Sequence, residues 1–294
     1  MLLILESFFV QMVFLFGIVI LCGAFISFCN TCLYDACGHA AFGLVRITGY
    51  IGTPVHELSH ALMCLIFGHW ITKMKLVNTN RRSRTLGYVE HTYYKTNLYH
   101  QIGNYFIGIS PILAGGAVVL LLVWLFMPNM LGEAMSGFDQ RLSLEMAGGV
   151  LSDMWNTLFA KENFADIRYW LALLFSAAVV IHMEISRSDI RSGLRGLLVL
   201  TVMLLVADLV MGLMFPSALA VFTDVCVRIG LGCLLFLLLP SVVAAVIGGI
   251  SMLFLLFRAM FGQRAMATAV NHHRAGGRKR KTAKKRTTQK QTRK

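Results

Sequence analysis

The chain has 294 residues, of which 57% are apolar and only 14% are charged. A soluble globule of this length needs more charged side chains on its surface, so the composition excludes an ordinary water-soluble protein. A hydrocarbon core about 30 Å thick is crossed by roughly 20 apolar helical residues, and several stretches of the sequence reach that length. The composition therefore predicts an all-α, polytopic membrane protein.

The basic residues are concentrated at the end of the sequence. The net charge is +13, yet 12 of the 27 Lys and Arg residues lie between Arg264 and Lys294, and no Asp or Glu follows Asp224. From about Asn271 the sequence offers almost no apolar side chain to bury, and segment 263–294 is predicted to be a disordered basic tail. Because no aromatic residue is interleaved with these charges, we expect the tail to contact anionic lipid and not nucleic acid.

The first apolar run, from Phe8 to Phe28, predicts an anchor helix. A cysteine-rich loop is expected to follow it. That loop contains Cys29, Cys32, Cys37 and His39. Its C-x2-C spacing could hold a metal ion or form a disulfide.

A second hydrophobic segment, from about Ala40 to Phe67, is interrupted by Gly49, Gly52 and Pro54. Proline suits the first turn of a helix, and the preceding threonine is a good N-cap. We therefore expect a new helix to begin at this proline, just before His56.

Apolar and polar residues then alternate between Lys73 and Tyr94, around Asn78-Thr79-Asn80, which predicts a small basic β-hairpin at the membrane surface. Hydrophobic stretches follow at about 102–127, 169–185, 194–215 and 218–261. The last is long enough for two passes with a break near Pro240. The expected total is six or seven transmembrane helices.

These features divide the sequence into four parts. Residues 1–39 form the anchor helix and cysteine-rich loop, 40–200 the central region, 201–262 the last transmembrane helices, and 263–294 the tail. Basic residues at 73–95, at 187–195 and in the tail mark those segments as cytoplasmic under the positive-inside rule. A bacterial inner membrane is the predicted location.

The central region contains the motif His56-Glu57-Leu58-Ser59-His60. Two histidines four residues apart project from one face of a helix and can bind one Zn²⁺ together. The glutamate beside the first histidine can then act as general base on the water at the metal. Three ionisable groups in an apolar helix are costly to place in hydrocarbon, so their presence indicates a functional site.

A catalytic zinc site usually has a third protein ligand. His182 and Asp189 share one face if their helix is regular, but about 10 Å of helix rise separates them, so both cannot bind one ion. One of the two is then an outer residue or uninvolved. The candidates are polar side chains at helix ends or at membrane depth, namely His182, Glu184, Asp189, Asp208 and Asp224.

The segment 52–62, Gly-Thr-Pro-Val-His-Glu-Leu-Ser-His-Ala-Leu, resembles the zinc helix of site-2-protease-like intramembrane metalloproteases. Residues 108–115, Gly-Ile-Ser-Pro-Ile-Leu-Ala-Gly, are similar to the helix of small residues and proline that packs beside the metal in that family. The family's third ligand is an aspartate on a later transmembrane helix, and the nearest analogue is Asp189. The resemblance thus implies one zinc ion held by His56, His60 and Asp189, with Glu57 as the catalytic base.

The expected function is a zinc metalloendopeptidase that hydrolyses membrane-embedded proteins. The hairpin could present an edge strand to an unwound substrate. Two alternatives stay open. One is a transporter or metal-handling protein in which the same side chains line an ion path, and the other is a non-catalytic scaffold descended from a protease.

Overall fold

The long apolar runs fold as helices in the computed structural model, which describes residues 1–80, 85–128 and 144–291. Side chains are described as far as Met260, except at positions 39, 144, 145 and 147. Helix α1 and helix α2 are joined by a π-helical turn, and together they form one apolar helix from Leu2 to Cys37. A 3-10 turn at Gly38–Ala40 leads into helix α3. The bounds are α1 Leu2–Met12, α2 Ile18–Cys37 and α3 Ala41–Ile66.

The predicted hairpin is confirmed. Strand β1, Trp70–Lys75, pairs antiparallel with strand β2, Tyr88–Thr92, in a two-stranded sheet. The remaining helices are α4 Leu98–Phe126, α5 Leu144–Leu158, α6 Ile167–Val180, α7 Arg187–Met214 and α8 Pro216–Gln291.

Helix α4 is the central helix of the site region and packs against α2, α3, α6 and α7. It approaches α7 closely because glycines line the contact. A Cβ at Gly196 would lie 2.5 Å from the amide nitrogen of Tyr105, and one at Gly108 would lie 2.9 Å from the carbonyl oxygen of Asp189. Small residues of this kind let two membrane helices meet backbone to backbone.

Among the described residues, four helices are long and apolar enough to cross a membrane. They are Leu2–Cys37, Leu98–Phe126, Arg187–Met214 and Pro216–Met260, with Ile167–Val180 as a shorter apolar helix. The outer face of α7 exposes large apolar side chains, including Leu198, Val202 and Leu209. Such a face is compatible with lipid as the solvent.

The expected count of six or seven spans is not confirmed. Pro240 lies inside α8, which continues as one helix where two passes with a break were expected. Helix α6 has only 14 residues. Helix α3 carries the polar motif residues, which lower its hydropathy and keep it outside the set of four.

Three other local expectations differ from the structure. Pro54 lies within α3 and does not begin it, because a proline removes one helix hydrogen bond without always ending the helix. The cysteine-rich segment is the end of α2 and not a loop. Helix α8 extends as helical backbone to Gln291, where the sequence predicts disorder, and Lys, Arg and Gln are good intrinsic helix formers.

The chain forms two compact units, the first from Met1 to Gly248 and the second from Gly249 onward. This division differs from the four parts proposed from the sequence, which stay a prediction. The hairpin and the motif residues of α3 all belong to the first unit.

Candidate metal centre

The two motif histidines lie one turn apart on α3, as the spacing predicts. Their ring centroids are 4.8 Å apart, and the Nε2 atom of His60 lies 3.1 Å from the Nε2 atom of His56. The two rings therefore direct their Nε2 atoms toward the same point. His60 is buried, and His56 is partly buried.

Main-chain carbonyls from two other segments hold the outer nitrogens of these rings. The Nδ1 atom of His56 lies 2.7 Å from the carbonyl oxygen of His182, and the Nδ1 atom of His60 lies 2.8 Å from that of Ile107. A carbonyl oxygen can only accept, so each Nδ1 carries the proton and donates it. In the neutral rings both Nε2 atoms are then unprotonated, and their lone pairs face each other.

Facing lone pairs repel unless a cation lies between them. Zinc binds imidazole nitrogen at about 2.0–2.1 Å, which puts two nitrogens of a tetrahedral site roughly 3.3 Å apart. The observed 3.1 Å is within a few tenths of an ångström of that spacing. A hydrogen bond from the outer nitrogen to a carbonyl is also the usual support of a metal-binding histidine. The residues present therefore fit a zinc ion.

Asp189 completes the group. It is the third residue of α7, and its Oδ2 atom lies 3.6 Å from the Nε2 atom of His60. One ligand atom each from His56, His60 and Asp189 lies within 4.8 Å of the others. The structure thus brings together the three side chains that the family resemblance implies.

A capping box at the start of α7 sets the position of this carboxylate. Ser186 is the N-cap, and its hydroxyl accepts from the amide of Asp189 at 3.2 Å. The Asp189 carboxylate accepts in return from the amide of Ser186 at 3.1 Å. This pair of hydrogen bonds fixes both the helix start and the direction of the carboxylate.

His182 contributes its main chain and not its ring. Its Nδ1 atom lies 3.0 Å from the carbonyl oxygen of Ala178, and its Nε2 atom lies 3.2 Å from that of Val45. The ring packs beside Gly52, where a Cβ would lie 2.6 Å from its Nδ1 atom. The geometry therefore favours a role for His182 outside the ligand set, and not a role as zinc ligand.

The helix expected through residues 182 to 189 is interrupted. Helix α6 ends at Val180 and α7 begins at Arg187, so the distance along a regular helix does not apply. Helix α2 holds the end of α6 in place. The Asn30 side chain donates to the carbonyls of Val180 and Ile181 at 3.1 and 3.2 Å.

Glu57 lies in the wall of a cleft with a volume of about 360 Å³. The residue is only 7% exposed. Gly87, in the chain between the two strands, covers it closely, since a Cβ at Gly87 would lie 2.7 Å from the Cγ atom of Glu57. The cleft is lined by Tyr34, Val45, Thr53, His56, Glu57, Leu86, Gly87, Ile181, His182, Glu184 and Ser186.

The other acidic candidates do not join this group. Glu184 lines the cleft, and Asp208 is buried farther along α7. Asp224 accepts from Arg228 at 2.8 Å in an exposed ion pair on α8. Among the described residues, neither metal-ligand group includes any of the three.

The cysteines at the end of α2 are free thiols. Cys29 is buried, and Cys32 and Cys37 are partly buried. None of them belongs to a metal-ligand group within the described part of the chain. The side chain of His39 lies outside the described residues, so a site that includes it stays a prediction.

A second group of metal-ligand type was missed by the sequence reasoning. Cys64, His69 and His91 each offer a ligand atom within 4.8 Å of the others. The available signal was the spacing of Cys64, which follows His60 by four residues and so shares its face of α3.

The two histidines of this group lie outside the spanning helices. Burial lowers the pKa of His69 below its ordinary value. Burial also lowers the pKa of His91, and the neighbouring His69 ring lowers it further. Both rings are then neutral near pH 7, and neutral imidazole is the form that binds metal.

No protein-family model, curated protein or solved structure matches the chain. The resemblance to site-2-protease-like enzymes therefore stands on the motif residues alone. The functional argument stands on the side-chain geometry.

Proposed function

We propose that the chain is a zinc-dependent intramembrane metallopeptidase that hydrolyses peptide bonds of membrane-embedded protein substrates. One observation carries the proposal: the Nε2 atoms of His56 and His60 face each other at 3.1 Å with both Nδ1 atoms held by carbonyls. Asp189 supplies the carboxylate beside them. Two imidazoles and a carboxylate are a familiar donor set of catalytic zinc, which leaves a fourth position for water or substrate.

Zinc in this place would supply a Lewis acid and make hydroxide available near neutral pH. Glu57 would take a proton from the attacking water and later give it to the leaving amine. Glu57 is a buried residue in the wall of the cleft, and it follows the first proposed ligand, His56, in the sequence. A site that only stores or binds zinc has no need of such a base, which favours a peptidase over a metal-handling protein or an inactive scaffold.

The cleft offers a place for an extended substrate. Leu86 and Gly87 line it from the hairpin side, so the hairpin adjoins the proposed catalytic residues. A peptide strand could add to an unpaired edge of the two-stranded sheet. Reversing the charges of Lys73 and Lys75 on β1 should then slow cleavage, and unchanged cleavage would count against docking at the hairpin.

The proposed location is a bacterial inner membrane with the basic tail on the cytoplasmic side. Four apolar helices support a membrane protein. The clustered Lys and Arg residues of segment 263–294 suit contact with anionic lipid headgroups.

The decisive experiment compares Glu57→Gln with wild type in proteoliposomes that contain a pool of single-pass transmembrane peptides. Mass spectrometry reports cleavage, and atomic absorption reports zinc. Glu57→Gln should keep its zinc and lose cleavage by about 100-fold or more, since general acid–base catalysis contributes 10²–10⁴-fold. Glu162→Gln is the matched control, because Glu162 is an exposed residue of the 3-10 turn Lys161–Ala165, outside both the cleft and the hairpin.

Cleavage that persists in Glu57→Gln would overturn the proposal. So would a wild type that binds no zinc at His56 and His60.

A further inference from the structure

Cys64, His69 and His91 come together where α3 meets the hairpin. Cys64 lies in the last turn of α3, His69 lies just before β1, and His91 lies in β2. Cys64 is fully buried and His69 is 3% exposed. Three ligand-type side chains, from the end of α3, the connection after it and β2, thus meet at one point, with two of them buried and His91 partly buried.

The end of α3 brings His69 over Cys64. Gly68 adopts a left-handed conformation with φ +69°, and the amide of His69 donates to the carbonyl of Cys64 at 2.8 Å. This six-to-one hydrogen bond across a left-handed glycine is the Schellman ending of a helix. The backbone therefore fixes the position of His69 relative to Cys64 without any help from a ligand.

The proton positions point the His69 ring at His91. The Nε2 atom of His69 lies 2.9 Å from the carbonyl oxygen of His100, so Nε2 carries the proton and donates it. The Nδ1 atom of neutral His69 is then unprotonated and carries a lone pair. It lies 2.9 Å from the Nδ1 atom of His91. The first centre also has a carbonyl-held ring whose other nitrogen faces a second imidazole, but there carbonyls hold both rings and here a carbonyl holds only His69.

We propose that Cys64, His69 and His91 form a second zinc site that fastens the hairpin to the end of α3. One thiolate and two imidazoles are ligands that zinc prefers, and the fourth position would be taken by water. The site shares no ligand with the first centre, so it does not depend on the proposed peptidase activity.

The position of the site gives it a consequence for the cleft. The segment between β1 and β2 supplies Gly87, which packs on Glu57. Fastening β2 through His91 limits how far Gly87, the residue next to β2, can move from Glu57. Zinc at the second site therefore keeps Gly87 in position against Glu57.

Cobalt distinguishes the two centres. The full chain is purified in detergent, stripped of metal and titrated with Co²⁺, and the near-ultraviolet spectrum is recorded. A thiolate-to-cobalt charge-transfer band arises only where cysteine is a ligand, and the first centre contains none. We expect the band in wild type and in His56→Ala, and its loss in Cys64→Ala and in His91→Gln.

Cys32→Ala is the matched control, because Cys32 is a partly buried thiol on α2 outside both groups. It should keep the band. Zinc analysis should give two equivalents for wild type and for Cys32→Ala, and one each for Cys64→Ala and His56→Ala. Two results would overturn the second site. One is a charge-transfer band that survives in Cys64→Ala, and the other is a zinc content in Cys64→Ala and in His91→Gln equal to that of wild type.

Discussion

The imidazole of His56 donates from Nδ1 to the main-chain carbonyl of His182 at 2.7 Å. One histidine thereby orients another through its backbone. The first is a proposed metal ligand, and the second is held away from the metal by its own contacts with α3 and α6.

This relationship predicts that His182→Ala keeps the first zinc. The carbonyl that supports His56 belongs to the main chain and survives the substitution. Asp189→Ala, in contrast, removes a ligand and should lose this zinc. Zinc analysis in a Cys64→Ala background, which counts only this centre, should give about one equivalent for His182→Ala and close to none for Asp189→Ala. The reverse result would make the His182 ring the ligand.

Removing the cap of α7 should weaken the same centre. Ser186→Ala loses the hydroxyl that accepts from the Asp189 amide, which costs about 1 kcal/mol of helix capping. Loss of such outer support typically lowers metal affinity by about 10- to 100-fold. Competition with a zinc chelator measures the affinity. Ser186→Thr retains a capping hydroxyl and should restore most of it, and equal affinity in Ser186→Ala and wild type would contradict the argument.

A methyl group at Gly87 should disturb the proposed base without touching the metal. Its Cβ would lie 2.7 Å from the Cγ atom of Glu57 and 2.8 Å from the Cγ2 atom of Thr53, so these side chains must shift. Displacement of a catalytic group by about 1 Å can cost about 100-fold in rate. We expect Gly87→Ala to bind zinc normally and to cleave the transmembrane peptides about 100-fold more slowly. Gly43→Ala is the control, since a Cβ at Gly43 meets open space.

The contact between α4 and α7 gives a pair of matched variants. In Gly196→Ala the new Cβ would lie 2.5 Å from the Tyr105 amide nitrogen and 2.6 Å from the Gln101 carbonyl oxygen. Backbone cannot yield as a side chain does, so the helices must separate, at a cost of about 1–3 kcal/mol. In Gly193→Ala the nearest atom is 3.8 Å away, which is ordinary contact.

Thermal unfolding in detergent should show a lower midpoint for Gly196→Ala and little change for Gly193→Ala. Because α7 carries Asp189, Gly196→Ala should also bind the first zinc more weakly. Equal midpoints for the two variants would mean that the helices are not closely packed at Gly196.

The pair His56 and His60 could be predicted from the sequence because a single local rule places both rings: residues four apart lie on the same face of a helix. Asp189 could not be placed that way. Its approach to His60 depends on the break between Val180 and Arg187 and on the hydrogen bonds from Asn30 that hold it. Such long-range contacts leave no periodic trace in the sequence.

The membrane helices show the same limit. Apolar length predicts that a segment is helical, but it does not say whether a proline such as Pro54 or Pro240 ends the helix. Gly49 and Gly52 were interpreted as interruptions of α3. In the structure Gly52 is the place where α6 comes close enough to put the carbonyl oxygen of Ala178 within 2.4 Å of a would-be Cβ.

The carbonyls that orient His56 and His60 come from the turn after α6 and from α4, while Asp189 comes from α7. The proposed metal centre is therefore complete only after four separate stretches of the chain have come together. A zinc ion at the proposed centre would therefore bind only after these stretches have folded together. Zinc content measured in cell membranes would then report what fraction of the molecules has assembled these four stretches correctly.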